Sequence, residues 1–211
     1  MPRATPQPKD PSPPTGGFQE RLERNIVLVG LMGAGKTCIG RRLAQRLSLP
    51  FRDADNEIEK AAGCSVEEIF ARHGEAHFRD GERRVITRLL ESAPLVLATG
   101  GGAYMDPRTR ALIRKRGVAI WLQADLPLLL KRTSRRNNRP LLKTGDPRSI
   151  LEGLIEKRYP VYAQADIVVE SVDGPPEITV ERAIEALSRY FEAHPENLEA
   201  SAAPLGEDEE R

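Results

Sequence analysis

The run Asn25–Thr37, NIVLVGLMGAGKT, decides how the rest of the chain is read. Its first six residues, Asn25–Gly30, are a short continuous apolar run ending in glycine, which reads as a buried strand. Gly30-Leu31-Met32-Gly33-Ala34-Gly35-Lys36-Thr37 then fits GxxxxGK[ST], the phosphate-loop pattern. From Lys36 to Leu47, the apolar residues Ile39, Leu43, Ala44 and Leu47 recur at helical spacing. Strand, glycine-rich turn and helix in this order have a physical use. Glycines let backbone N–H groups turn inward around phosphate oxygens, and the helix presents its positive dipole end to the same anion. Lys36 is placed to reach the β- and γ-phosphates of a nucleoside triphosphate, and Thr37 to put its hydroxyl on Mg²⁺. The loop does not say what receives the phosphoryl group.

Outward from this unit, strand-like runs alternate with helical patterns. Phe51–Asp53, Leu95–Thr99, Val118–Gln123 and Ile167–Glu170 read as four further strands. Ser65-Val66-Glu67-Glu68 is a capping box opening a helix through Phe70, and residues 75–91 continue as a charged amphipathic helix. Asp106-Pro107 caps a helix to about 116, and Asp125 one to about Arg132. Further helices cover about 148–158 and 176–192. Residues 133–147 read as a polar loop. The alternation implies an α/β fold with a parallel sheet covered on both faces.

The whole chain has 211 residues, with 32 basic and 31 acidic side chains. The charges are unevenly spread. Residues 25–192 carry 27 basic and 22 acidic residues, whereas residues 193–211 carry six acids and one base. A modestly basic core suits an anionic ligand and is too weak to argue for nucleic acid. Two cysteines, Cys38 and Cys64, exclude a cysteine zinc cluster and a disulfide scaffold. No apolar run reaches membrane-spanning length, and the start lacks the apolar stretch of a secretory signal. A cytoplasmic protein without nucleic-acid or membrane partners is expected. The first 17 residues hold six prolines, so residues 1–24 are expected to be a disordered tail, as is the acidic end 193–211. One domain, 25–192, remains, and with no long exposed apolar stripe it is expected to be a monomer. No guanine-reading NKxD sequence occurs, which counts against a GTPase.

Four later features bear on the acceptor. Asp53 and Asp55 alternate at the end of the second strand, so an extended backbone points them to one side. Two carboxylates there suit one metal contact and one hydroxyl contact. Arg79 and Glu82 are three apart on a helix and can pair, which fixes a guanidinium for a carboxylate. Gly100-Gly101-Gly102 at the end of the third strand allows close backbone approach. Lys131, Arg132, Arg135, Arg136 and Arg139-Pro140-Leu141, with Arg158 further on, form a basic group around the longest loop, where a lid arginine can neutralise transferring phosphate.

Taken in order, GLMGAGKT, DAD, FR, GGG, RPL and KR resemble the shikimate kinase family over roughly residues 25–192. The resemblance implies a three-layer α/β/α P-loop kinase fold, a five-stranded parallel sheet in the order 2-3-1-4-5, and a mobile lid at about 133–147. It implies ATP-dependent phosphorylation of the shikimate 3-hydroxyl, a step of chorismate and aromatic amino-acid biosynthesis, with ATP and shikimate as partners and Mg²⁺ as cofactor. Residue by residue, it assigns Gly33, Ala34, Gly35, Lys36, Thr37, Cys38, Arg132 and Arg139 to ATP, and Thr37 and Asp53 to the metal. It assigns Asp55, Arg79, Gly101, Gly102 and Arg158 to shikimate, and Lys36, Asp55 and Arg139 to catalysis. A late basic residue on the adenine side has no match near Ser171–Pro175. A gluconate kinase of the same fold, a nucleoside monophosphate kinase and a silent ATP-binding protein are the competing readings.

Overall fold

The structure, a computed structural model, describes residues 18, 22–92, 94–134 and 145–198. Five strands, β1 (Asn25–Val29), β2 (Phe51–Asp53), β3 (Val96–Ala98), β4 (Gly117–Gln123) and β5 (Ile167–Glu170), form one sheet in the order β2-β3-β1-β4-β5. Every pairing is parallel. The order is the one the resemblance implies. Among the described residues, seven helices connect and cover the strands: α1 (Lys36–Arg46), α2 (Ala54–Ala62), α3 (Val66–Leu90), α4 (Pro107–Arg116), α5 (Leu126–Thr133), α6 (Pro147–Tyr162) and α7 (Pro176–Ala193).

The most apolar run of the chain takes the centre of the sheet. β1 pairs with β3 on one side and β4 on the other, and Ile26, Val27, Leu28 and Val29 are wholly buried. Each such side chain contributes roughly 1.5–3 kcal/mol on burial. Coverage on both faces holds for β1, β3 and β4 but not at the β5 edge, where Val168 and Glu170 face outward.

Asn25, also buried, joins the ends of three elements. Its amide nitrogen donates to the carbonyls of Leu90 (3.0 Å) and Arg116 (2.8 Å), and its oxygen accepts from the Leu95 N–H. These carbonyls belong to the ends of α3 and α4, which have no intrahelical partner of their own.

Local signals set most helix starts. Ser65 and Glu68 form the reciprocal capping box at α3, and Asp106, Asp125 and Asp146 cap α4, α5 and α6. The helix through Phe70 and its continuation over 75–91 form one element, kinked at Gly74 (φ 76°, ψ 177°). Two expectations need correction. β2 ends at Asp53, which caps α2, so Asp55 sits in a helical first turn rather than on an extended strand. α6 also runs four residues beyond 158, through Pro160, because Tyr162 beyond the proline is fully buried in the core.

The folded body reaches past the expected limits of 25 and 192. Leu22, Arg24 and Leu198 are buried, and the Glu23 N–H donates to the Leu198 carbonyl at 2.9 Å. Arg24 donates to Asn197 Oδ1 and to the carbonyls of Arg114 and Gly117, tying both ends of the described chain to the foot of the sheet. The remainder of both expected tails, and residues 135–144 of the expected lid, lie outside the described residues.

Candidate active site

The phosphate loop, Asp53 and the triple glycine follow the carboxyl ends of β1, β2 and β3, the edge where open parallel sheets bind ligands. The loop turns through glycines with left-handed backbone, Gly33 (φ 87°) and Gly35 (φ 101°), which other residues adopt only with strain. Gly35 caps α1 without a side-chain hydrogen bond, and the first turn holds no acid. The N–H groups that point out of a helix start suit an anion. Lys36 Nζ folds back over the loop onto the carbonyls of Gly30 (2.8 Å) and Leu31 (3.1 Å).

A cleft of about 400 Å³ opens beside the loop, lined by Gly33, Gly35, Lys36, Thr37, Cys38 and Arg132 among others. Arg132 spans it, donating to Ser171 Oγ (2.9 Å) and the Val172 carbonyl (2.7 Å) on one side and reaching the Gly33 and Ala34 carbonyls on the other. Buried Ser171 donates in turn to the Ala34 carbonyl at 2.9 Å. Sequence reasoning missed Ser171, because a lone serine after an edge strand carries no motif. The far wall is Asp173, Gly174 and Pro176, and Lys131 lies beside them, paired to Asp173.

Thr37 Oγ1 donates to Asp53 Oδ2 at 2.8 Å, while Asp53 Oδ1 accepts the Asp55 N–H at 3.2 Å. A hydroxyl and a carboxylate at the mouth of a phosphate loop are hard oxygen donors of the kind Mg²⁺ takes together with phosphate oxygens and water. The pair fits that ion.

The triple glycine has a use that spacing alone does not show. None of the three has positive φ, so backbone freedom is not the reason for glycine. Each lies against a charged group. A Cβ on Gly100 would come within 2.7 Å of Glu82 Oε1 and 2.9 Å of Asp55 Oδ1. On Gly101 it would meet Arg158 Nη1 at 3.2 Å, and on Gly102 it would come within 2.5 Å of Arg79 Cζ. The sheet thus brings together Asp55 from α2, Arg79 and Glu82 from α3 and Arg158 from α6. Gly101 also abuts the phosphate loop, its Cβ position lying 3.6 Å from the Gly30 carbonyl.

Arg79 pairs with Glu82 at 2.6 Å, as the three-residue spacing predicts, and with Glu75 at 3.2 Å. The Glu82 side chain is 3% exposed and that of Arg79 28%, so the carboxylate is buried while its arginine partner stays partly open to solvent. Burial pushes the Glu82 carboxyl above its ordinary range; the Arg79 charge opposes this and the Asp55 charge adds to it. For Arg79 burial works against the charge, but Glu82 and Glu75 outweigh it and the guanidinium is held more firmly protonated. Glu82 Oε1 has no hydrogen-bond partner. Arg158 Nη1 donates to the Gly101 carbonyl at 2.8 Å. Arg139, the expected lid arginine, lies outside the described residues, as do Arg135 and Arg136.

A strand–glycine loop–helix unit in a five-stranded parallel sheet, with two arginines and a carboxylate against the loop's neighbouring strand, defines a P-loop phosphotransferase of the small-molecule kinase class. The Shikimate kinase family model matches residues 32–188. A shikimate kinase from Paramagnetospirillum magneticum is 61% identical over 172 residues, covering 82% of this chain and 88% of the relative. A structure of shikimate kinase from Acinetobacter baumannii in complex with shikimate has a TM-score of 0.75 and 38% identity over 78% of this chain and 93% of that one. A gluconokinase from Sinorhizobium meliloti, at 19% identity and a TM-score of 0.60 over 85% of this chain and 99% of its own, shares the fold alone. The chain belongs to the shikimate kinase family.

Proposed function

We propose that this site phosphorylates the 3-hydroxyl of shikimate. The family's reaction is the ATP-dependent phosphorylation of shikimate in aromatic amino-acid biosynthesis; the regiochemistry and the residue roles are our reading. One observation carries it: Gly101 touches the phosphate loop on one side and Arg158 on the other, with Arg79 and Asp55 at the adjoining glycines. A substrate carboxylate held by Arg79 and Arg158 would lie on the same wall as the ATP phosphates. Asp55 would then aim a ring hydroxyl at the γ-phosphate. Phosphoryl transfer needs positioning and charge stabilisation more than covalent help, which is what these groups offer.

In this reading Lys36 leaves the Gly30 and Leu31 carbonyls for the β- and γ-phosphates, and Arg139 covers them from the lid. Gly33, Ala34, Gly35 and Cys38 line the nucleotide, and Arg132 borders the adenine side. Thr37 and Asp53 would hold Mg²⁺, which when bound supplies positive charge to the phosphates. Asp55 accepts the hydroxyl's hydrogen bond; because an alcohol is a very weak acid, its proton need not leave before transfer. The chain is proposed to act as a cytoplasmic monomer; sedimentation at a single-protomer mass checks the oligomeric part. Among the described residues no helix is long and apolar enough to cross a membrane.

The test is ADP release with Mg-ATP and shikimate, quinate, gluconate or AMP in parallel. Turnover with shikimate alone is expected, and turnover with gluconate or AMP instead would overturn the assignment of the pocket. Asp55→Asn is expected to lower kcat about a hundredfold or more while ATP binding persists. Near-normal turnover would remove Asp55 from the mechanism.

A further inference from the structure

We propose that Tyr162 is a positioning residue that holds the Arg158 guanidinium through a shared carbonyl, Gly101. The inference rests on the proposed role of Arg158 in binding the substrate carboxylate.

Tyr162 stands one turn beyond Arg158 on α6 and is the largest of the wholly buried side chains among the described residues. A buried phenol must find a partner for its hydroxyl. It donates to the Gly101 carbonyl, the same oxygen that accepts from Arg158 Nη1 at 2.8 Å. A carbonyl oxygen has two lone pairs, so both donors are accommodated. Burial raises the Tyr162 phenol above its ordinary range, with the charge of Arg158 and a side-chain hydrogen bond to that same arginine working the other way; the hydroxyl therefore keeps its proton at neutral pH. The ring has little room to swing, because Trp121, Tyr159 and Tyr104 stand around it with centroids at 6.0, 6.3 and 6.4 Å.

With the hydroxyl in place, Gly101 is pinned from the core and presents a fixed acceptor to one arm of Arg158. The guanidinium is planar, so fixing one nitrogen orients the other donors toward the pocket. Without it, the carbonyl keeps Arg158 as its sole donor and the peptide that carries it is no longer anchored. The guanidinium then loses its orientation while the aromatic packing survives.

The test compares Tyr162→Phe, Arg158→Lys and the double variant, using shikimate and its neutral carboxamide as acceptors. With the guanidinium no longer held, Tyr162→Phe is expected to raise the shikimate KM about tenfold, or about 1.4 kcal/mol. The ATP KM should stay within about twofold, and the preference for shikimate over the carboxamide should fall by the same factor as the KM rises. In the Arg158→Lys background, Tyr162→Phe should add little, since contacting residues are not additive. Fluorescence of Trp121, the chain's single tryptophan, verifies that the packing is retained. An unchanged shikimate KM, or equal losses on both acceptors, would overturn the inference. Arg158→Lys with an unchanged shikimate KM would instead overturn the carboxylate-binding reading beneath it.

Discussion

Gly102 shows how one residue type serves the site through what it lacks. Its missing Cβ leaves room for the Arg79 guanidinium, which Glu82 holds in place. Gly102→Ala is therefore expected to push Arg79 aside and raise the shikimate KM about tenfold or more, with little change in Tm. A normal KM would show that Arg79 adjusts at no cost. Glu82 itself makes a pH prediction. An acid with a raised folded pKa binds its proton more tightly folded than unfolded. Its contribution is intact below the ordinary value of 4.5 and is lost as pH rises through the raised value. Glu82→Gln cannot titrate, so the Tm difference between variant and parent should move in the variant's favour as pH rises from 4.5. A difference that stays flat over that rise would mean Arg79 keeps Glu82 ionised throughout. The Arg79–Glu82 pair was legible from its spacing; that Glu82 also faces Asp55 across Gly100 was not, because the three come from separate elements.

Elements were legible where local chemistry sets them and less so where packing does. The capping box at Ser65 and the aspartate caps at Asp106 and Asp125 put α3, α4 and α5 where their sequences say. The two misreadings have different causes. Asp53 has the alternation of a strand end, yet its side chain caps α2 and converts Asp55 to a helical residue. Pro160 has the look of a helix stop, yet burial of Tyr162 carries α6 past it. Asp53 acts through a local hydrogen bond from the Asp55 N–H, whereas at Pro160 burial of Tyr162 offsets a helix penalty of about 3 kcal/mol. Gly74 tests the opposite case. Its φ of 76° with ψ of 177° is reserved for glycine, and nothing lies within 4 Å of a Cβ there. Gly74→Ala should cost about 1–3 kcal/mol through backbone strain alone, read as a lowered Tm. An unchanged Tm would show that α3 straightens freely.

At the scale of the whole molecule, Arg24 closes the fold at the edge opposite the phosphate loop. It holds the carbonyls of Arg114 and Gly117 and the side chain of Asn197, joining both ends of the described chain. Arg24→Met keeps most of the apolar stem and strips these acceptors of a donor, at about 1–3 kcal/mol for each one left unsatisfied. Thermal melts should show a clear loss of Tm with both KM values unchanged; a shift in either KM would mean that the foot of the sheet communicates with the site. From sequence, residues 1–24 read as tail because proline dominates their first part, and only the folded sheet shows that Leu22 and Arg24 have places in it. What the sequence by itself determined is the strand–loop–helix unit at 25–47, the alternation that makes the sheet parallel, and the ordered motifs that identify the family. These rest on near neighbours in the chain, where spacing dictates geometry. Only the tertiary structure decided which charges meet at Gly100–Gly102, that Ser171 reaches the phosphate loop, and that Tyr162 and Arg158 share a carbonyl. In each case the group reached lies tens of residues away, and the order of the strands, not the spacing of the residues, sets the distance between them.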